Sequence, residues 1–473
     1  MYKQFVIIIA ITGVFSSCNE DLIQLSPISQ NSAGNFYSTP EQIEQAVVGV
    51  YDGLQLTGQY RQYFIYLMEV RSDNSKQQST TSSGGVFGDV DLFRMEATSN
   101  VVELAWKDCY KGIQRCNIVL KRIESVSVNP NKTVQIGEIK FIRALTYFNL
   151  VRLFGDVPLV TKEYGDPFEA FELVRTPKAD VYALIIKDLT EACQSLNTNA
   201  LRPGGATKNA AYALLGKVQL TLGNFTEAIA ALRNVSGVLL PNYADNFGLA
   251  NENSVESLFE IQFKKGGIGE GSPYANLFTP FGASYLIGGI GTTFGDNLPT
   301  QDIYNSYPVG DIRRDVTMGK TTSDVLYTKK YIDTPFKDLD GGNNFIVLRY
   351  ADVVLMLAEA LNEQGYIADD EAFTLLNKIR NRAGLSSLTS LDLPEQNSFR
   401  IAIANERRWE LAFENHRWFD LVRTGKAIQV MNAHTSESGV MNTVTNENLL
   451  YPIPQSQVDA TNGKITQNPG YGF

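Results

Sequence analysis

Five aromatic rings, Tyr274, Phe278, Phe281, Tyr285 and Phe294, stand among nine glycines in the segment Lys264–Pro299. Glycine backbone allows close approach and tight turns, and flat rings held on it can stack on the apolar C–H face of a sugar. Polar partners for sugar hydroxyls are also at hand. Asp73 and Asn74 follow one predicted helix and Arg349 opens another, giving a carboxylate, an amide and a guanidinium fork. Phe87 and Phe93 add two rings at the end of the Ser/Thr/Gly-rich stretch Asp73–Phe93, DNSKQQSTTSSGGVFGDVDLF. Capture of a polyhydroxylated ligand without reaction is the chemistry that Asp73, Asn74, Phe87, Phe93, Tyr274, Phe278, Tyr285, Phe294 and Arg349 suit. Tyr274 and Tyr285 lead the set because each ring also carries a hydroxyl. Loops this long and unperiodic are functional or disordered, and their aromatic content argues for order.

Both loops interrupt a chain that reads as mainly α. Helices are predicted from Ser38-Thr39-Pro40 and Thr176-Pro177, where a hydroxyl precedes a proline suited to the first helical turn. Apolar periodicity predicts others near 102–125, 134–154, 207–222, 225–235, 350–364, 369–382 and 398–424. In Gly216–Leu232, GKVQLTLGNFTEAIAAL, Gly216 is followed seven residues later by Gly223, then by Phe225 and Ala228. That is tetratricopeptide spacing, in which small residues let two antiparallel helices touch and the ring wedges their turn. Ala358 and Gly365 repeat the step, as do Phe148 and Gly155. A right-handed stack of degenerate helical hairpins is therefore expected as scaffold, with irregular insertions near 73–100 and 264–345 carrying the ligand.

The segment Asn405–Ala427, NERRWELAFENHRWFDLVRTGKA, is apolar on several faces if helical, which predicts burial. Its charges at Glu414, Arg417, Asp420 and Arg423 recur every third residue, and mutual pairing along one helix is expected.

Composition narrows the partners. Net charge is −10, and no basic stripe, zinc-finger spacing or RNA-binding motif appears, which argues against nucleic acid. Two histidines without HExxH or CxxC spacing argue against a metal or cofactor. Asp338, Asp340, Gly341 and Asn343 match a calcium loop only loosely, since the terminal Glu of the twelve-residue pattern is missing. Cys109 and Cys116 lie seven residues apart on one predicted helix, about 10.5 Å of rise, beyond disulfide reach. Cys193 could pair with either. No GxSxG or other nucleophile motif is present, so no catalytic residue is nominated.

The N-terminus has the layout of a secretory signal: Lys3, a neutral to apolar run Phe5–Val14, and small Ser16 and Ser17 before Cys18. The run is shorter than the roughly 17–25 residues that cross a bilayer. Residues 1–17 are expected to be cleaved, leaving Cys18 as a lipidated first residue and 18–473 as one composite domain of net charge −11, since Lys3 is lost.

Four blocks then carry a family resemblance: FIRALTYFNLVRLFGDVPLV at 141–160; LRYADVVLMLAEALNEQG at 348–365 with NKIRNRAGL at 377–385; ERRWELAFENHRWFDLVRTGK at 406–426; and LYPIP with QNPGY at the end. Together they resemble the SusD/RagB family of nutrient-binding outer-membrane lipoproteins of Bacteroidetes. The resemblance implies a non-enzymatic surface protein, anchored by lipid at Cys18, that delivers glycan to a SusC-like TonB-dependent transporter. Asn19, Glu20 and Asp21 resemble the family's surface-export signal. A peptide ligand, as in the RagB branch, is the alternative. Carboxylates are numerous and a glycosidase needs only two, so hydrolysis is a further reading, against which the resemblance argues.

Overall fold

The computed structural model describes residues 36–434 and 443–472; Cys18 and the signal segment lie outside the described residues. Thr39 starts α1 (Pro40–Asp52) through a capping box with Gln42, as its sequence predicts. Then come α2 (Asn100–Arg122), α3 (Lys132–Phe154), α4 (Lys178–Ser195), α5 (Lys208–Thr221) and α6 (Phe225–Leu232). After the long insertion follow α7 (Tyr350–Gln364), α8 (Glu371–Arg382), α9 (Gln396–Glu410) and α10 (Arg417–Arg423). Each helix from α1 to α8 packs on its successor, including α6 on α7 across the insertion. The fold is a stack of tetratricopeptide-like hairpins. At Gly216 a Cβ would fall 2.5 Å from the Leu232 side chain, so only glycine permits this approach of α5 to α6. At Thr176-Pro177 the cap differs from expectation: α4 begins at Lys178, whose N–H is taken by the Asp156 carboxylate at 2.8 Å.

Six short strands lie in the insertions. Ser75–Lys76 (β1) pairs antiparallel with Leu298–Pro299 (β3), Ser257–Ile261 (β2) with Phe345–Arg349 (β6), and Met318–Lys320 (β4) with Leu326–Thr328 (β5). One main apolar core runs from Ile43 to Ile465 and takes in both scaffold and insertion, including Phe259, Tyr274, Phe345 and Trp418. A smaller core fills α7 to α9 around Phe373 and Phe399. Cys109, Cys116 and Cys193 are all free and buried.

The helix expected over 398–424 is broken. α9 ends at Glu410, and Phe413 and Asn415 take left-handed backbone, φ 65° and 62°, before α10 begins. Buried Glu69 explains the break by accepting the N–H groups of Phe413 at 3.0 Å and Asn415 at 2.8 Å. The expected ion ladder is likewise mostly redirected. Asp420 and Arg423 do pair, but Glu414 goes to Lys330 and Arg349, and Arg417 goes to Asp73.

Trp418 in α10 is 1% exposed and packs edge-on against Phe93 at 5.7 Å, with the Arg71 guanidinium over its ring. Trp418→Ala should cost about 3–5 kcal/mol through the cavity it leaves. Denaturant titration measures this, and a loss below about 1 kcal/mol would contradict the packing role.

Candidate functional site

The two insertions named by sequence form one surface. Beyond the β1–β3 pairing, Gln78 donates its N–H to Gly295 O at 2.8 Å and accepts the Phe281 N–H on its side-chain oxygen at 2.7 Å. Ser75 adds a hydroxyl bond to Asn297 at 2.6 Å. Gly295 sits at φ 63° with its Cβ position filled by Gln78, so glycine is required twice over. Asn276 stitches the base of the glycine-rich turn, donating to Ile290 O and Thr292 O, each at 3.0 Å, and accepting from Leu339 N. Asp338 and Asp340, the loose calcium pattern, are spent on backbone N–H groups of Thr292 and Gly267. Among the described residues no cluster of three or more His, Cys, Asp or Glu could hold a metal ion.

Stitched in this way, the turn presents Phe281 at 43% and Tyr285 at 53% exposure. The Tyr285 hydroxyl accepts the Thr322 N–H at 3.2 Å, which fixes the ring against the β4–β5 hairpin. Three residues on, Gly288 lies against Thr334, and Phe336, also exposed, lies against Gly267 beside exposed Ile268. On the other side of Gln78 an open depression of about 410 Å3 is walled by Thr80, Thr81, Asp89, Arg94 and Glu96. The loop face thus offers exposed rings on one insertion and a depression of hydroxyl, carboxylate and guanidinium groups on the other, and sugar recognition uses both kinds of group.

Much of the sequence-nominated set lies elsewhere. Tyr274 and Phe278 stack in the core at 5.3 Å, and the Tyr274 hydroxyl bonds Tyr60 O. Phe93 is buried beneath Arg71, whose guanidinium lies 4.4 Å from the ring centroid. Arg349 is 1% exposed and bonds Glu414 at 2.8 Å, Glu410 at 2.6 Å and Glu256 at 3.0 Å. Asp73 receives Arg417 through both oxygens, at 2.7 and 2.8 Å, together with Arg408 at 2.9 Å. Burial opposes its charge, yet these guanidinium groups hold its carboxyl down at about 2. Asn74 accepts from Arg408 at 2.8 Å. These six are corrected from ligand contacts to interior supports, because a side chain without exposed surface cannot meet a ligand at the loop face. Phe87 and Phe294 are half-buried, Phe87 stacking on Tyr66 at 4.1 Å. Of the nine, Tyr285 alone is well exposed. Sequence reasoning did not nominate Asp89, Arg94, Glu96 and Phe336; the available signal for the first three was their charge, Asp89 within the Ser/Thr/Gly-rich stretch and Arg94 and Glu96 directly after it.

Comparison with known proteins now applies. The model described as "SusD family" matches residues 314–471, and the model "Starch-binding associating with outer membrane" matches residues 22–220. Along both matched segments the chain is similar to the SusD family. It is 27% identical to SusD-like protein P2 of Formosa agariphila, over 99% of each chain. To a SusD-like protein of Bacteroides ovatus it is 26% identical, covering 89% of this chain and 82% of that one. Among solved structures, a laminarin-binding SusD-like protein superposes with a TM-score of 0.79 at 28% identity, over 92% of this chain and 100% of that one. Surface glycan-binding protein A of Bacteroides thetaiotaomicron, in complex with laminarihexaose, gives 0.78 at 22% identity, over 91% and 100%, and this likeness speaks for the fold alone.

Two predictions follow from the supports. Arg349→Met leaves Glu410, Glu414 and Glu256 short of a buried partner and should cost about 3–5 kcal/mol, while ligand affinity per folded molecule stays unchanged. Chemical denaturation together with a binding titration on the folded fraction checks both halves. The second prediction concerns pH. Asp296 holds the Tyr66 hydroxyl at 2.6 Å under Phe87, and Asp91 holds the Gln77 N–H at 3.0 Å. Burial pushes both carboxyls up to about 7, above the opposing pull of those hydrogen bonds. A carboxyl raised on folding stabilises below its ordinary value and loses that contribution as pH climbs to the raised one. Stability of the loop face should therefore fall between about pH 4 and 7, and Asp296→Asn should flatten part of that slope in thermal melts. An unchanged slope would show that Asp296 does not titrate there.

Proposed function

We propose that this SusD-like protein binds glycan on the face formed by Phe281, Tyr285 and the depression at Asp89, Arg94 and Glu96. The observation that carries this reading is the pair of exposed rings on a turn that Gln78, Asn276 and Thr322 hold rigid. An exposed ring offers a flat apolar plane, and a ring fixed beforehand loses little entropy when a sugar stacks on it. The laminarin-binding relative makes laminarin the first ligand to test. In this reading the mature chain is lipid-anchored at Cys18 on the outer face of the outer membrane. It passes its ligand to a SusC-like TonB-dependent transporter, and no group on this face is assigned a catalytic role.

Tyr285→Ala and Phe281→Ala should each weaken binding by about 2 kcal/mol, roughly thirtyfold, with melting temperatures near wild type. Affinity electrophoresis in laminarin and other soluble polysaccharides, run beside calorimetry with oligopeptides, reads the effect and tests the ligand class. Unchanged retention of both variants on the glycan that wild type binds would place the site elsewhere. Binding of peptides alone would replace the glycan reading with the peptide one.

A further inference from the structure

Where α3, α5 and the turn before α10 meet, a small void of about 20 Å3 is bordered by Arg152, Lys217, Asn415 and His416. By this measure roughly 10–15 Å3 suffices for one water-sized occupant. Its polar wall is almost entirely made of donors. Asn415 is 6% exposed, and neither its amide oxygen nor its amide nitrogen has a partner, so its N–H groups lack an acceptor whichever way the amide is turned. Lys217 Nζ lies 2.7 Å from His416 Nδ1. An ammonium only donates, so Nδ1 accepts and the ring proton sits on Nε2, which finds no acceptor among the described residues. Burial and then the Lys217 charge hold this imidazole neutral, down at about 3. Arg152 spends Nε on Phe148 O at 3.1 Å and Nη2 on Asn149 Oδ1 at 2.6 Å, leaving Nη1 without an acceptor among the described residues.

Charge falls short on the negative side as well: Glu69, which accepts the Asn415 N–H at 2.8 Å, is the remaining buried carboxyl here, and burial pushes it up to about 7, toward the neutral acid. Lys217, Arg407 and Arg423 are matched by Asp352, Asp420 and Glu359, three cations against three carboxylates. Glu414, the carboxylate in the wall, is taken by Lys330 and Arg349. Arg152 is the fourth cation. It is sandwiched between the rings of Phe148 and Phe419, at 3.8 and 3.7 Å, and among the described residues it has no ion-pair partner. Burial pulls its guanidinium down to about 10, as expected for a cation short of a counter-charge. A low-dielectric interior penalises such an excess strongly.

We propose that this void is a binding site for one monovalent anion of chloride size, held by Arg152 Nη1, the Asn415 amide and His416 Nε2–H. The anion supplies the missing negative charge and the missing acceptor together, and it locks the turn 411–416 onto the helical stack. The site is separate from the loop face and does not depend on what that face binds.

Crystals of the full mature chain grown in bromide test it. An anomalous peak in the void, within hydrogen-bond reach of Arg152 and Asn415, is the expected result. Water density or an empty void at near-molar bromide overturns the proposal. In solution at constant ionic strength, replacing gluconate by chloride should raise the melting temperature by about 1–3 °C and saturate. Asn415→Asp keeps a residue that tolerates the left-handed backbone and places a carboxylate in the anion's position. This variant should lose both the bromide peak and the chloride dependence, and a variant that keeps either overturns the assignment. Should it fail to fold, the wild-type bromide map alone decides.

Discussion

Arg349 and the three carboxylates it meets, Glu256, Glu410 and Glu414, hold the insertion to the helical stack. The four residues come from the end of β6, the approach to β2, the end of α9 and the turn before α10. Arg382 bonds Glu256 and Glu410, Arg313 bonds Glu410 and Glu406, and Lys330 bonds Glu414. None of these charges has solvent to fall back on, so each is tolerable only while its partners stay in place. That condition couples segments more than a hundred residues apart and makes the composite core a single packing problem. The net worth of such a network relative to apolar packing is small, but its geometry is exacting. It fixes one arrangement of loops on helices where hydrophobic burial alone would accept several.

The loop face is anchored by a second ion cluster, distinct from the one at Arg349. Asp73, tied to Arg417 and Arg408, ends the segment that leads into β1, and β1 pairs with β3 at the far end of the glycine-rich turn. The rings of Phe281 and Tyr285 therefore stand on backbone whose far end is tied by a strand pair to a segment that ions hold in turn. Asn276 and Gln78 add bonds to backbone groups of Phe281, Ile290, Thr292, Gly295 and Leu339, which order the turn from within the protein. A binding surface prepared in this way loses less entropy on association than a loose loop would. It also separates roles: residues that position the face are interior and charged, while the residues it presents to solvent are aromatic or polar.

The helical scaffold was legible because its determinants are local. The Thr39-Pro40 cap, the Gly216–Gly223 step and the apolar periodicity of 350–364 each act within a few turns of chain. The helix drawn through 398–424 failed for the opposite reason. Glu69, more than three hundred residues away, supplies the acceptor that pays for breaking it at Phe413 and Asn415. Periodicity carries no record of a distant carboxylate.

The binding loops divide along the same line. Sequence by itself determined that 73–93 and 264–299 stand apart from the repeats, since glycine, serine and interleaved rings cannot continue a periodic helix. It also carried the family resemblance, because the blocks that match are packing and turn residues of the helical stack. Only tertiary structure decided which rings face out. Tyr274 and Tyr285 have the same chemistry and neighbouring positions, yet Tyr274 lies in the core with Phe278, Tyr331 and Phe345 while Tyr285 is more than half exposed. In irregular backbone no fixed period links position to face, so exposure is set by the elements that happen to pack alongside. Arg349, Asp73 and Asn74 went inward for a related reason: residue type specifies that a polar group needs partners, and only the fold decides whether those partners are a ligand or the protein itself.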